Sequence, residues 1–119
     1  MDDATAPRDL CERTYEFAKA VRQFVRLLPR TISNFEDVKQ LVRSSGSVGA
    51  NYLEAQEALS RKDFKYRVCV SRKEARESTY WLRLLNTGSV SETEESRQRL
   101  LAECGELVRI LSAIINRTN

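Results

Sequence analysis

Four glutamates are the first residues in this 119-residue chain whose spacing suggests chemistry. Glu54 and Glu57 stand one helical turn apart, and so do Glu74 and Glu77. Two such pairs facing each other inside a helical bundle supply the carboxylates of a di-iron site. That site also takes a Glu-x-x-His pair, and the chain has no histidine. The same absence removes Ser-His-Asp and Cys-His catalysis, His-ligated metals and imidazole pH switching. Register opposes a metal as well. Folding a hairpin at about Ser60–Arg61 sets Glu54 opposite Arg67 and Glu74 opposite Ser47, which leaves the two pairs about 15 Å apart.

The carboxylates then read as part of a structural polar network. In that register Arg43 lies near Glu77 and Ser78, and Asn51 near Val70 and Ser71. Arg43, Asn51, Glu54, Glu74 and Glu77 are expected to pair and fix the helix register, because partly buried charges must be paired. No nucleophile has an adjacent base, so neither catalysis nor a small-molecule substrate is expected, and no cofactor or metal is implied.

The segment Arg43-Ser44-Ser45-Gly46-Ser47-Val48-Gly49-Ala50 is the other chemically suggestive stretch. A phosphate cradle would need a Gly-Lys-Ser/Thr ending after a strand, and both are missing. Gly46 and Gly49 inside a helix cost about 1 kcal/mol each relative to Ala. Close approach of a bulky partner such as Trp81 or Phe24 is the expected offset. Cys11, Cys69 and Cys104 are odd in number, widely spaced and free of any C-x-x-C pair, so they read as core or boundary thiols of a reducing compartment.

The elements that must position these residues are helices. Asp9/Glu12, Ser33/Glu36, Ser60/Asp63 and Ser91/Glu94 each have a cap residue followed three positions later by an acid, the capping-box spacing. Leu28-Pro29 and Asn86-Thr87-Gly88 are the matching stop signals. Apolar and small residues then recur at steps of four and three, as in Leu10, Thr14, Phe17, Val21, Phe24 and Leu28. Such seams belong to helices packed about 20° from antiparallel. Short connections force sequential neighbours. The chain is therefore expected to be all-α, an antiparallel up-down-up-down four-helix bundle. A flexible lead spans 1–8 and a single domain spans 9–117, with helices about 9–28, 34–59, 61–87 and 92–117. No apolar run approaches the ~18 residues needed to cross a bilayer. The polar, acidic start is unlike a secretory signal, so a cytoplasmic protein without a membrane partner is expected.

Charge distribution carries more than the net +3, of which Arg supplies 15 of 20 cations. Residues 60–90 alone carry +5. Arg61, Lys65, Arg72, Arg76 and Arg83 repeat at four and seven and form one stripe on the third helix, about 100° from its core seam. Cations at a helix N-terminus oppose the macrodipole, so this repeated choice suggests an anionic partner such as nucleic acid. A solvated or subunit-facing Arg stripe is the competing reading. Tyr66, Cys69 and Tyr80 fall nearly opposite the Phe64 seam, with Trp81 on a flank. They are the candidates for an oligomer interface.

Residues Asp9-Leu10, Arg13-Thr14, Phe17-Ala18, Val21 and Leu28-Pro29, then Gln40 through Ala55, Ser60-Arg61-Lys62-Asp63-Phe64 and Lys73 through Leu82, resemble the 23S rRNA intervening-sequence proteins, also called the four-helix bundle protein family. The resemblance covers roughly residues 9–86; the last helix matches in pattern. It implies a bacterial bundle that assembles as a homopentamer, without enzymatic activity. Some family genes lie within rRNA insertions. Distant relatives act in diversity-generating retroelements, where a basic pentameric barrel contacts nucleic acid and a reverse transcriptase. The resulting expectation is an RNA- or ribonucleoprotein-associated accessory protein, partnered by itself and by RNA or a nucleic-acid-handling protein. The alternative is a pure protein-interaction scaffold.

Overall fold

The computed structural model describes residues 7–118. Four helices follow one another: α1 (Pro7–Val25), α2 (Ile32–Gln56), α3 (Arg61–Leu84) and α4 (Ser91–Arg117). Each helix packs on the next, α4 returns to α1, and the diagonal pairs stay apart. This is an all-α, up-down-up-down bundle, with no strand among the described residues. Most of the expected lead, residues 1–6, lies outside the described residues; Pro7 and Arg8 already belong to α1.

Only one of the four expected caps is made as written. Ser60 adopts an extended backbone and its hydroxyl accepts from the Asp63 N–H at 3.0 Å. For α2 the cap is Thr31, two residues upstream of the expected Ser33; its hydroxyl accepts from Asn34 N at 3.0 Å. Val90 rather than Ser91 caps α4 and offers no side-chain bond. Asp9 sits inside the first turn of α1, where a carboxylate still meets the positive end of the helix dipole. At the other ends, α1 stops at Val25 and unwinds through Leu27 and Leu28, whose N–H groups donate to Phe24 and Val25 carbonyls.

The core is one layer of aliphatic and aromatic side chains from all four helices, among them Phe17, Val21, Leu41, Val48, Val68, Leu82, Leu107 and Leu111. Between α2 and α3 the core includes small residues as well. Ser44, Ser71 and Ser78 are all buried there. Small side chains let two helices approach closely, but their hydroxyls then need partners. Ser44 and Ser78 share a hydrogen bond at 2.8 Å, and Ser71 donates to the Val48 carbonyl at 2.7 Å.

Gly49 does not meet Trp81 or Phe24. A Cβ at this position would stand 2.9 Å from Thr14 Oγ1 on α1. Thr14 is itself buried, its hydroxyl donating to the Leu10 and Cys11 carbonyls at 3.0 Å each. Gly49 thus marks the crossing of α1 over α2. Gly46 is less confined, since its nearest neighbour is the flexible end of Arg22 at 3.4 Å.

Candidate nucleic-acid interface

On α3 the five cations of the stripe divide by depth. Arg61, Arg76 and Arg83 are exposed, while Lys65 and Arg72 are half-buried. At 3.6 residues per turn the five fall within about 60° of arc, along a line about 33 Å long. Arg72 donates to Ser112 Oγ on α4 at 3.1 Å, so the row runs along the α4 side of α3. None of the five makes a salt bridge among the described residues. Cations elsewhere do: Arg13 clasps Glu103 with two bonds of 2.7 and 2.9 Å, and Arg109 pairs with Glu106. Those two acids are the carboxylates on the middle of α4, and the first is drawn to α1.

The acids of α3 are also removed from the row. Glu74 is buried, and Arg43 of α2 stands 2.9 Å from Glu77 and 3.4 Å from Glu74. Glu74 Oε1 makes no hydrogen bond, so its link to Arg43 is charge attraction alone. Asn51 joins α2 to α3 differently: its amide donates to Ser47 O and its oxygen accepts from Arg67 at 3.4 Å. Glu54 is not brought into this network. It is exposed and has no side-chain partner among the described residues, because Arg67, expected opposite it, turns to Asn51 and lies over the Tyr66 ring at 5.7 Å. Glu57 is exposed as well. No cluster of three or more His, Cys, Asp or Glu side chains occurs among the described residues.

Of the four interface candidates, Tyr66 and Tyr80 are exposed at 60% and 56%, a level that leaves most of each ring open to a partner. Cys69 and Trp81 are half-buried against the core. Tyr80 meets the edge of Trp81 with ring centroids 5.0 Å apart. A concavity of about 380 Å³ is lined by Arg61, Lys62, Lys65, Tyr66 and Cys69. No helix among the described residues is long and apolar enough to cross a membrane.

Comparison with known proteins places this bundle. The family model for the 23S rRNA-intervening sequence protein matches residues 8–113. The chain belongs to that family. A solved member-like structure is similar over nearly its whole length. It is a protein with unknown function from the S23 ribosomal protein family of Bacteroides thetaiotaomicron, with a TM-score of 0.80 and 32% identity, covering 92% of this chain and 97% of that one. The search of curated proteins found no match.

One polar device in this family member has no signal in the sequence pattern. Arg97 of α4 reaches under the end of α3 and donates to the Leu82, Arg83 and Leu85 carbonyls, the orphan acceptors of that helix terminus. Glu94 anchors Arg97 in turn at 2.6 Å, and that guanidinium is the main reason its carboxyl falls to about 2. Cys104 lies in the core, where burial pushes its thiol up to about 12, so it stays protonated and unreactive.

Proposed function

We propose that this chain is a non-enzymatic, homo-oligomeric accessory protein of the bacterial cytoplasm that associates with RNA or a ribonucleoprotein through the basic row of α3. The observation that carries the reading is the set of five cations in one line with no carboxylate partner among the described residues. Unpaired cations on one face raise the local potential and favour a polyanion. The descriptions of the family and of the solved relative refer to 23S rRNA and to a ribosomal protein family, which is consistent with an RNA-linked role. Non-enzymatic action is supported by the lack of any nucleophile–base pair in the sequence and by the engagement of Glu74 and Glu77 with Arg43.

Titration of labelled RNA at increasing salt tests this reading. Binding should be measurable at 50 mM salt, and the log–log salt slope should fall by about 0.7 per lost phosphate contact on a single strand, or 0.9 on a duplex. Arg72→Glu with Arg76→Glu should weaken binding and flatten that slope. Undetectable binding at 50 mM salt, or no change in the double variant, removes the RNA reading.

The second reading is a protein-interaction scaffold, favoured by the exposure of Tyr66 and Tyr80. Light scattering on wild type and on Tyr80→Asp decides it. A homopentamer that dissociates in the variant supports assembly through α3, and a wild-type monomer removes self-assembly altogether.

A further inference from the structure

Tyr66, Lys73 and Tyr80 follow one another at steps of seven along α3, and all three are exposed. Seven residues are close to two full turns, so the two tyrosine rings stand on one line about 21 Å apart. This line runs roughly a quarter turn around the helix from the basic row. The outward side of α3 therefore carries a charged line and an aromatic line in parallel. Its acids do not interrupt them, since Glu74 is buried, Glu77 is held by Arg43, and Asp63 sits in the first turn.

Both rings are braced. Arg67 lies over one face of Tyr66, and the edge contact with Trp81 fixes the orientation of Tyr80. A braced ring loses little freedom when a flat group stacks on it. The basic concavity beside Tyr66 offers room for that group next to cations. A duplex keeps its bases stacked inside and presents mainly phosphates and sugars to a convex helix, so the tyrosines would gain nothing from it. A single strand offers bases and phosphates at once.

We propose that the outward side of α3 binds single-stranded nucleic acid, with bases stacked on Tyr66 and Tyr80 and phosphates on the adjacent Arg/Lys row. This rests on the RNA reading above and specifies the form of the ligand. The charge complementarity of a basic row with no carboxylate partner among the described residues selects a polyanion over an apolar protein surface.

The test uses fluorescence anisotropy with an unstructured single-stranded RNA and a hairpin duplex RNA of equal length. Wild type should bind the single strand more tightly. Tyr66→Ala with Tyr80→Ala should weaken single-strand binding at least about tenfold, since each of the two stacked bases contributes about fivefold or more. The duplex affinity and the salt slope should stay as in wild type. Tyr66→Phe with Tyr80→Phe keeps the rings and should restore single-strand binding. Light scattering on the same variants should show unchanged mass. Equal binding of both RNAs by wild type, or an alanine pair that binds the single strand normally, overturns the stacking proposal while the basic-row reading stands. A change of mass in the alanine pair with RNA binding intact assigns the tyrosines to self-association and also overturns it. No binding of either RNA at 50 mM salt overturns both readings.

Discussion

Asn34 and Asn86 bind each other twice across 52 residues of sequence: Asn34 Nδ2 donates to the Asn86 carbonyl at 2.9 Å, and Asn34 Oδ1 accepts from the Asn86 N–H at 2.9 Å. The same amide also donates to the Pro29 carbonyl at 2.9 Å. One buried side chain thus ties the α1–α2 connection to the α3–α4 connection at one end of the bundle. Each bond contributes about 1 kcal/mol net, and each buried backbone group left without a partner costs about 1–3 kcal/mol. Asn34→Ala should therefore destabilise the fold by about 2–4 kcal/mol. Asn34→Asp should be no better, because it presents an acceptor to two carbonyls. Urea midpoints of the two variants check this; a shift under about 0.5 kcal/mol would mean water replaces the amide at little cost.

Gly49 and Gly46 should respond in opposite directions to the same substitution. Alanine at either position gains up to about 1 kcal/mol of helix propensity. At Gly46 the new methyl meets only the end of Arg22, which can move aside, so Gly46→Ala should raise the thermal midpoint. At Gly49 it would meet Thr14 Oγ1 at 2.9 Å, and Thr14 is held by two hydrogen bonds in a buried seam. Overpacking of this kind costs about 1–3 kcal/mol, enough to outweigh the propensity gain. Gly49→Ala should lower the midpoint. Adding Thr14→Ser removes a methyl but leaves the hydroxyl, so it should recover only part of the loss.

These cases show which parts of the molecule the sequence made legible. Helix count and order follow from seams that repeat at four and three, and cap positions follow only to within a residue or two. Thr31 and Ser33 are both competent caps, and the choice between them is made by where the chain leaves Pro29, a tertiary matter. The neighbour of Gly49 was not readable, because a seam on α2 faces α1 and α3 alike. Arg97 and Asn34 were invisible for a related reason. Their partners are backbone carbonyls and amides, which every residue has, so no spacing of side-chain types announces them. The alignment of Arg61, Lys65, Arg72, Arg76 and Arg83 on α3 needs only the helical period, because a straight line on a helix is a local property of the chain.

Arg43 and Glu74 give a prediction about charge in a half-dry site. The Glu74 side chain is 11% exposed and its Oε1 relies on Arg43, whose own side chain is 51% exposed. Removing the cation leaves a mostly buried carboxylate oxygen without its charged neighbour. A fully buried pair broken this way loses about 3–5 kcal/mol, and the exposure of Arg43 reduces that to about 1–3. Arg43→Met should therefore be destabilising, and Glu74→Gln in that background should restore much of the loss. Equilibrium unfolding of the double-mutant cycle measures the coupling. Additive effects of the two substitutions would show that the pair does not interact.

Glu94 sets the acid limb of stability. Its carboxylate accepts from Arg97 at 2.6 Å, from Gln98 at 2.9 Å and from Thr87 at 3.2 Å, and these bonds, Arg97 foremost, hold it at about 2 in the folded state. An unfolded glutamate takes its proton near pH 4.3. Between those values the unfolded chain binds more protons than the folded one, so stability falls as pH is lowered. The contribution is complete above about pH 4.3 and gone below about pH 2. Glu94→Gln keeps the shape and lacks the charge. Its stability should lie below wild type at neutral pH, and the two curves should converge on acidification through this window. The site is partly exposed, so added salt should narrow the neutral-pH gap. Thermal midpoints of both proteins at pH 7, 4 and 2.5, with and without 0.5 M salt, carry the test. A gap that stays constant with pH would place the role of Glu94 in shape and hydrogen bonding, and leave Arg97 to hold the end of α3 without it.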